Sequence, residues 1–322
     1  MLLERSGLLL VALVLEATLG YPRMLYRRIR HPVVWAGALI TFLERRWNAG
    51  SARSRRVRGS ALVLVLVALA GSAGWLLEAG VHSMFERTGL PDVAGTIAAG
   101  IVVALVATSG LAQRSLYDHV LAVLQPLQIG ELHAARKAVS QIVGRDTAAL
   151  DGEGISAAAI ESLAESFCDG VVAPAFWFLV AGLPGLFIFK ALSTADSLVG
   201  HRDERHRAFG WAAARADDLM NLIPARLAGL ILCIAGRGGL ATMLRDARKH
   251  DSPNAGWPEA AMAGALAREL GGPASYEGEW MARPTFGAGA RPDATSLREA
   301  LRIYRLACLL LWLIVGGIAC LR

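Results

Sequence analysis

Residues 158–226 read AAIESLAESFCDGVVAPAFWFLVAGLPGLFIFKALSTADSLVGHRDERHRAFGWAAARADDLMNLIPAR. An acidic helical face leads into an apolar segment broken by Gly and Pro. A dense run of Asp, Arg, His and Asn follows, and a second apolar segment begins at Leu219. The apolar runs are long enough to cross a hydrocarbon core, which takes roughly 20 residues as helix. Ionisable side chains pressed against such runs are costly, and in a membrane-facing chain they mark functional positions.

The rest of the chain agrees. Of its 322 residues 54% are hydrophobic, above the usual share for a soluble domain. The fold class expected is an all-α polytopic integral membrane protein. It has roughly five or six transmembrane or re-entrant helical segments, each about 20 residues, with cytoplasmic amphipathic helices. A β-barrel would alternate over short segments instead. We read residues 1–322 as one membrane domain with water-facing regions at about 23–58, 113–166, 193–218 and 237–305. The net charge of +6 sits in loops beside apolar spans, where the positive-inside rule accounts for it. No nucleic-acid-binding motif accompanies it. Cys168, Cys233, Cys308 and Cys320 form no C-x-x-C pair and suggest neither a disulfide framework nor a zinc site. The expected location is a cell membrane, with the Arg-rich loops on its cytoplasmic side.

In chain order, Leu8 to Leu19 reads as a first span rather than a cleaved signal, since no small-x-small site follows; Glu16 lies late in it. Arg23 to Arg58 is Arg-rich and therefore cytoplasmic. Within it His31 to Trp47 suits a helix lying at the interface, with His31-Pro32 as its start; His31 is either a capping residue or a phosphate or substrate contact. Ala61–Leu77 and Val93–Leu111 read as spans, the latter rich in small residues that pack closely in lipid. An amphipathic stretch then carries a helix over about 129–143. Ser156 to Cys168 reads as another, with Ser156 as N-cap. On it Glu161, Glu165 and Asp169 fall at i, i+4 and i+8, along one face. Like charges so spaced repel, so a metal ion or arginines from elsewhere should compensate, unless water alone does.

Val171 to Leu192, broken by Pro174, Gly182, Pro184 and Gly185, is one kinked span or a re-entrant hairpin, with its broken backbone buried in protein or lining a polar cavity. Beyond it Asp217, Asp218 and Asn221 share one helical turn, with Asp196 nearby in sequence. Such hard oxygen ligands suit Mg²⁺, which takes one or two carboxylates plus substrate phosphates. Arg202, Arg215 and Arg226 could then fork onto phosphate or carboxylate; an Asp/Arg network that only holds helices together is the alternative. Arg237 to Arg305 is water-facing with a helix over about Pro258 to Leu270, and Leu306 to Leu321 is the last span. No Walker A, G-x-G-x-x-G, H-E-x-x-H or G-x-S-x-G motif is present, and no internal repeat.

Several blocks carry a resemblance: HPVVWAG at His31, ARKAVSQIVGRDT at Ala135, AAIESLAESFCDGVVAPAFW at Ala158 and GLPG at Gly182. STADSLVGHRDERHRAFGWAAARADDLMNLIPARL at Ser193, SPNAGWPEAAMAGAL and GGPASYEG complete them. In this order they resemble the adenosylcobinamide-phosphate synthase family of cobalamin biosynthesis (CobD/CbiB). Glu16 stands where that family often has Asp, and Ser166 and Ser193 where it often has Asn. The resemblance implies an ATP- and Mg²⁺-dependent amide ligation. It joins adenosylcobyric acid to (R)-1-aminopropan-2-ol phosphate, or to the free amino alcohol. It also implies roles. Asp196, Asp217, Asp218 and Asn221 would bind Mg²⁺–nucleotide. Arg145, Arg202, Arg215 and Arg226 would bind phosphates or corrinoid side chains, with His31 a further contact. Glu161, Glu165 and Asp169 would hold a second metal or take the amine's proton. A homo-oligomer in the lipid membrane is expected, with no nucleic-acid partner. The competing readings are an AmpE-like membrane sensor, which shares the broad architecture, and a corrinoid transporter using the broken segments as its site.

Overall fold

The computed structural model describes residues 2–20, 31–87, 91–201, 203–276 and 278–321. Arg23, Arg27, Arg28 and Arg30 of the basic loop, and the phosphate candidate Arg202, lie outside the described residues.

Helices α1 (Leu2–Leu19), α2 (Pro32–Trp47), α3 (Ala52–Glu86), α4 (Asp92–Thr108), α5 (Gln113–Gln128), α6 (Leu132–Val139) and α7 (Gly152–Phe167) come first. A π-helical turn, Cys168–Val172, joins α7 to α8 (Ala173–Val199). Next come α9 (Trp211–Met220), α10 (Leu222–Ala235), α11 (Leu240–Asp246) and α12 (Gly256–Leu266). Four short strands follow, β1 (Leu270–Gly271), β2 (Ala274–Tyr276), β3 (Glu279–Met281) and β4 (Thr285–Phe286), and α13 (Ala294–Cys320) ends the chain. The strands form two antiparallel ribbons, β1 with β4 and β2 with β3.

By length and composition, Ala52–Glu86, Asp92–Gln128, Gly152–Val199 and Ala294–Cys320 qualify to cross a membrane; α9 and α10 make a fifth if they count as one span. The protein is thus an all-α polytopic membrane protein. The expected first span is a helix of 18 residues, but Glu4, Arg5 and Glu16 on it keep it out of that set. Among the described residues no disulfide joins Cys168, Cys233, Cys308 or Cys320.

The chain forms two compact units: Met1–Ala112, Ala173–Met220 and Val315–Arg322 make one, Gln113–Val172 and Asn221–Ile314 the other. In the first unit α8 packs along α3 and against α2 and α9, over a core containing Ile40, Leu62, Leu66, Ala195 and Phe209. Helix α8 breaks at Gly182, whose φ of 68° lies in the left-handed region that glycine tolerates. Glu78 of α3 covers the break, its Oε1 accepting the N–H of Leu183 at 2.7 Å. A Cβ added at Gly185 would stand 2.4 Å from the carbonyl oxygen of Trp177. In a continuous helix residues eight apart are separated by about 12 Å. The segment therefore turns back sharply at Gly182 instead of running straight.

In the second unit α7 packs against α5 and α12, and α12 against α10 and α11. The rings of Phe167 and Tyr304 meet edge-on at 5.7 Å, and the Tyr304 hydroxyl donates to the Gln113 carbonyl at 2.8 Å. Helix α7 starts earlier than expected. Asp151 is its N-cap, accepting from the Gly154 N–H at 2.8 Å, while the Ser156 hydroxyl sits inside the helix and bonds back to the Gly152 carbonyl at 2.8 Å. The helix expected over 129–143 is confined to Leu132–Val139, and that expected over 258–270 to Gly256–Leu266, stopped by left-handed Ala267 (φ 51°).

Candidate functional site

The acidic residues of α7 do not share one environment. Glu161 is buried, Glu165 exposed and Asp169 half-buried. Asp169 lies in the π-helical turn, where i→i+5 bonding widens the pitch. The constant helical spacing that predicted a three-carboxylate face fails there. Glu161 is instead the centre of a charge cluster in the second unit. It pairs with Arg145 and with Arg283 at 3.2 Å, and accepts the Gly271 N–H at 2.7 Å. Compensation thus comes from arginines. Among the described residues no three His, Cys, Asp or Glu side chains are grouped to hold a metal ion.

Two further residues belong to this cluster. Glu259, on α12, is 1% exposed and its Oε1 stands 3.7 Å from His250 Nε2. Burial, then the charges of Glu161 and Glu165, push the Glu259 carboxyl well above the usual carboxylate range. Burial and then the Arg283 charge pull the His250 imidazole down. The Nδ1 of His250 accepts the Ser252 N–H at 2.8 Å, so the neutral ring carries its proton on Nε2, towards Glu259. Sequence reading passed over Arg283, Glu259 and His250. The available signal was Glu259 itself, the lone ionisable residue in GWPEAAMAGAL.

Asn221 and Arg226 also lie in the second unit. Asn221 is buried in the turn between α9 and α10, with its Oδ1 3.7 Å from Cys168 Sγ. It is therefore not on the helix of Asp217 and Asp218, as the i,i+4 reading required. The cause is Pro224, which has no N–H to offer the carbonyl four residues earlier. Arg226 donates to the Leu222 carbonyl at 2.8 Å, to Asn254 Oδ1 at 2.7 Å and to the Pro253 carbonyl at 3.1 Å. Its guanidinium also stacks over Trp257 at 4.6 Å. In this structure Arg226 ties α10 to the loop before α12.

The first unit brings together Asp196, Asp218, Arg215 and His201. Asp196 and Asp218 are close enough for their charges to interact, with His201 and Arg215 as neighbours of Asp196. Arg215 pairs with Asp218 at 3.1 Å, and Asp217 beside it is half-buried. His31 caps α2, its Nδ1 accepting the Val33 N–H at 3.3 Å. Burial, then the Lys190 charge, pull its imidazole below the ordinary range. The loop after α8 is anchored by a forked pair, Arg205 Nε and Nη2 each 3.0 Å from an oxygen of Glu44.

The sequence matches the CobD/Cbib protein family over residues 9–304. The chain belongs to the CobD/CbiB family. It is 47% identical over 320 residues to a cobalamin biosynthesis protein CobD of Rhodobacter capsulatus, covering 98% of each chain. It is 46% identical to that of Brucella suis biovar 1, over 88% of this chain and 87% of the relative. To the CobD of Rhizobium meliloti it is 41% identical over 94% and 93%. No solved structure matches. Membership in CobD/CbiB gives the protein a role in cobalamin biosynthesis. Within this CobD/CbiB chain the IVGRDT block supplies Arg145, the ESLAES block Glu161, and the SPNAGWPEAAMAGAL block Glu259.

Proposed function

We propose that this chain is an adenosylcobinamide-phosphate synthase: an ATP- and Mg²⁺-dependent ligase that forms an amide between a propionate of adenosylcobyric acid and (R)-1-aminopropan-2-ol phosphate or the free amino alcohol. The observation that carries this reading is the ordered run of that family's blocks through a chain whose family match spans residues 9–304. The charge chemistry of the described residues is of the kind the reaction needs. Asp196 and Asp218 are two hard carboxylates whose charges interact, a donor set that fits Mg²⁺ completed by phosphate oxygens; Asp217 adjoins Asp218 in sequence. Arg215 stands beside Asp218 to neutralise phosphate charge. ATP, when bound, supplies the phosphoryl group that makes the carboxylate a competent acyl donor. The residues' own contribution is positioning and charge neutralisation. In the second unit Arg145 and Arg283 are placed to receive anionic groups of the substrates, and exposed Glu165 faces water, where it can meet the ammonium. Glu161, held by two guanidinium groups and an amide, positions those arginines and is not a free base. The proposed reaction takes place at the cell membrane on the cytoplasmic side, where ATP is.

The test is a single-turnover assay of the purified protein in lipid or detergent with adenosylcobyric acid, either amine and Mg·ATP, beside Asp218→Asn. Mass-detected amide product in wild type and its loss in the variant are expected. No product from folded wild-type protein with either amine overturns the reading.

A further inference from the structure

The Glu259 carboxyl group is an anomaly in a helix otherwise lined by small apolar side chains. Its Oε2 is enclosed and has no hydrogen-bond partner among the described residues. Its Oε1 stands 3.7 Å from His250 Nε2, beyond hydrogen-bonding distance. Buried polar groups in folded proteins are almost always paired, and one that is not calls for a reason. The charges around it supply one. The charges of Arg145 and Arg283 act on it, as do those of Glu161 and exposed Glu165. Glu161 engages Nη2 of Arg145 and Nη1 of Arg283, and each guanidinium has five N–H groups, so donors remain on both. With the Glu259 carboxyl pushed towards its neutral form, the two half-buried guanidinium groups face the negative charge of Glu161 with positive charge in excess. The Arg145, Arg283 and His250 side chains keep 10%, 18% and 19% exposure, so the cluster reaches solvent. An excess of positive charge beside an idle carboxyl donor fits an oxygen anion.

We propose that Glu259, donating through Oε2, joins Arg145 and Arg283 in a subsite that holds a carboxylate or phosphate oxygen. A buried, neutral carboxylic acid is suited to this, because it adds a donor without adding negative charge. The subsite stands on the geometry. That its occupant is a substrate group, the corrinoid propionate or the aminopropanol phosphate, rests on the ligase reading.

The experiment measures anion binding by calorimetry, without ATP, on the full-length protein in detergent. Inorganic phosphate, acetate, aminopropanol phosphate and adenosylcobyric acid are the separate probes. Wild type is compared with Glu259→Gln, which keeps a neutral donor, and Glu259→Leu, which does not. Wild type and E259Q should bind at least one anion with affinities within about threefold of each other. E259L should bind it about tenfold to a hundredfold more weakly, the worth of one hydrogen bond to a charged group. Its melting temperature should be equal or higher, since an unpaired buried group has been removed. The proposal is overturned if no probe binds wild type, or if E259L binds as wild type does. It is equally overturned if both variants lose affinity in step with melting temperature, which is the signature of a packing role. Comparing the phosphate and carboxylate probes tells which anion is held. Anion binding without amide product in the single-turnover assay would fault the reaction and leave the subsite intact.

Discussion

Trp177 donates its indole N–H to the carbonyl oxygen of Met220 at 3.0 Å. That carbonyl is the one Pro224 cannot serve, because proline has no N–H and residue 224 is its helical partner. A side chain of α8 thus satisfies the last residue of α9, two residues beyond Asp218. Trp177→Phe keeps most of the ring and removes the donor. It should cost about 1 kcal/mol, seen as a lower melting temperature in detergent. It should also weaken Mg²⁺-dependent activity more than it changes corrinoid affinity. An unchanged melting temperature would mean that water replaces the indole.

Glu161 carries two arginines and an amide. Glu161→Ala leaves Arg145 and Arg283 as buried, uncompensated cations. The expected loss is about 3–5 kcal/mol, as for other buried pairs broken from one side. Chemical denaturation would read it as poor yield or early unfolding. Arg283→Ala, which leaves Glu161 paired with Arg145 and Gly271, should lose less. Equal losses would place the pairing energy on Arg283 alone.

The turn in α8 depends on Gly182. A Cβ there would lie 2.3 Å from Glu78 Oε1, at a φ of +68°. Gly182→Ala should destabilise by more than about 1 kcal/mol, because the methyl group displaces the carboxylate that caps Leu183. Protease susceptibility between α8 and α9 and thermal melting are the readouts. A stability equal to wild type would mean that the break does not need glycine.

The pH dependence follows from Glu259. Its carboxyl is raised well above 4.5, so the folded protein holds a proton that the unfolded chain releases. Stability from this group is full below pH 4.5 and is lost as pH rises through the folded value. His250, held below 6.5, acts in the opposite sense and costs stability as pH falls through 6.5. The groups facing Glu259 are Glu161, Glu165, Arg145, Arg283 and His250. Glu259→Leu should therefore flatten the decline in unfolding free energy above pH 4.5. A decline as steep as that of wild type would assign it to other groups.

Much of the architecture was legible. The runs Ala61–Leu77 and Val93–Leu111 had to be helices, since long apolar stretches leave the backbone no other partner in lipid. Gly182, with Pro184 beside it, announced a break through its own covalent chemistry. His31-Pro32 read as a helix start, and His31 caps α2. Charge placement was legible only as a list of candidates. Periodicity put Glu161, Glu165 and Asp169 on one face, but a single π-helical turn interrupted it. Asn221 left the turn of Asp217 and Asp218 because a proline three residues later ended the helix sooner than the pattern did.

The sequence by itself determined the class, the order of the helices and the family, because hydrophobic length, Gly/Pro punctuation and ordered motif blocks are local properties of the chain. Only the tertiary structure decided which charges are committed and which are left over. Arg283 meets Glu161 across 122 residues, and Glu259 meets His250 across a loop. Those pairings arise when α7, α12 and the strand ribbons close on one another. The burial that pushes the Glu259 carboxyl above its usual range is a property of that packing, which no spacing in the sequence encodes.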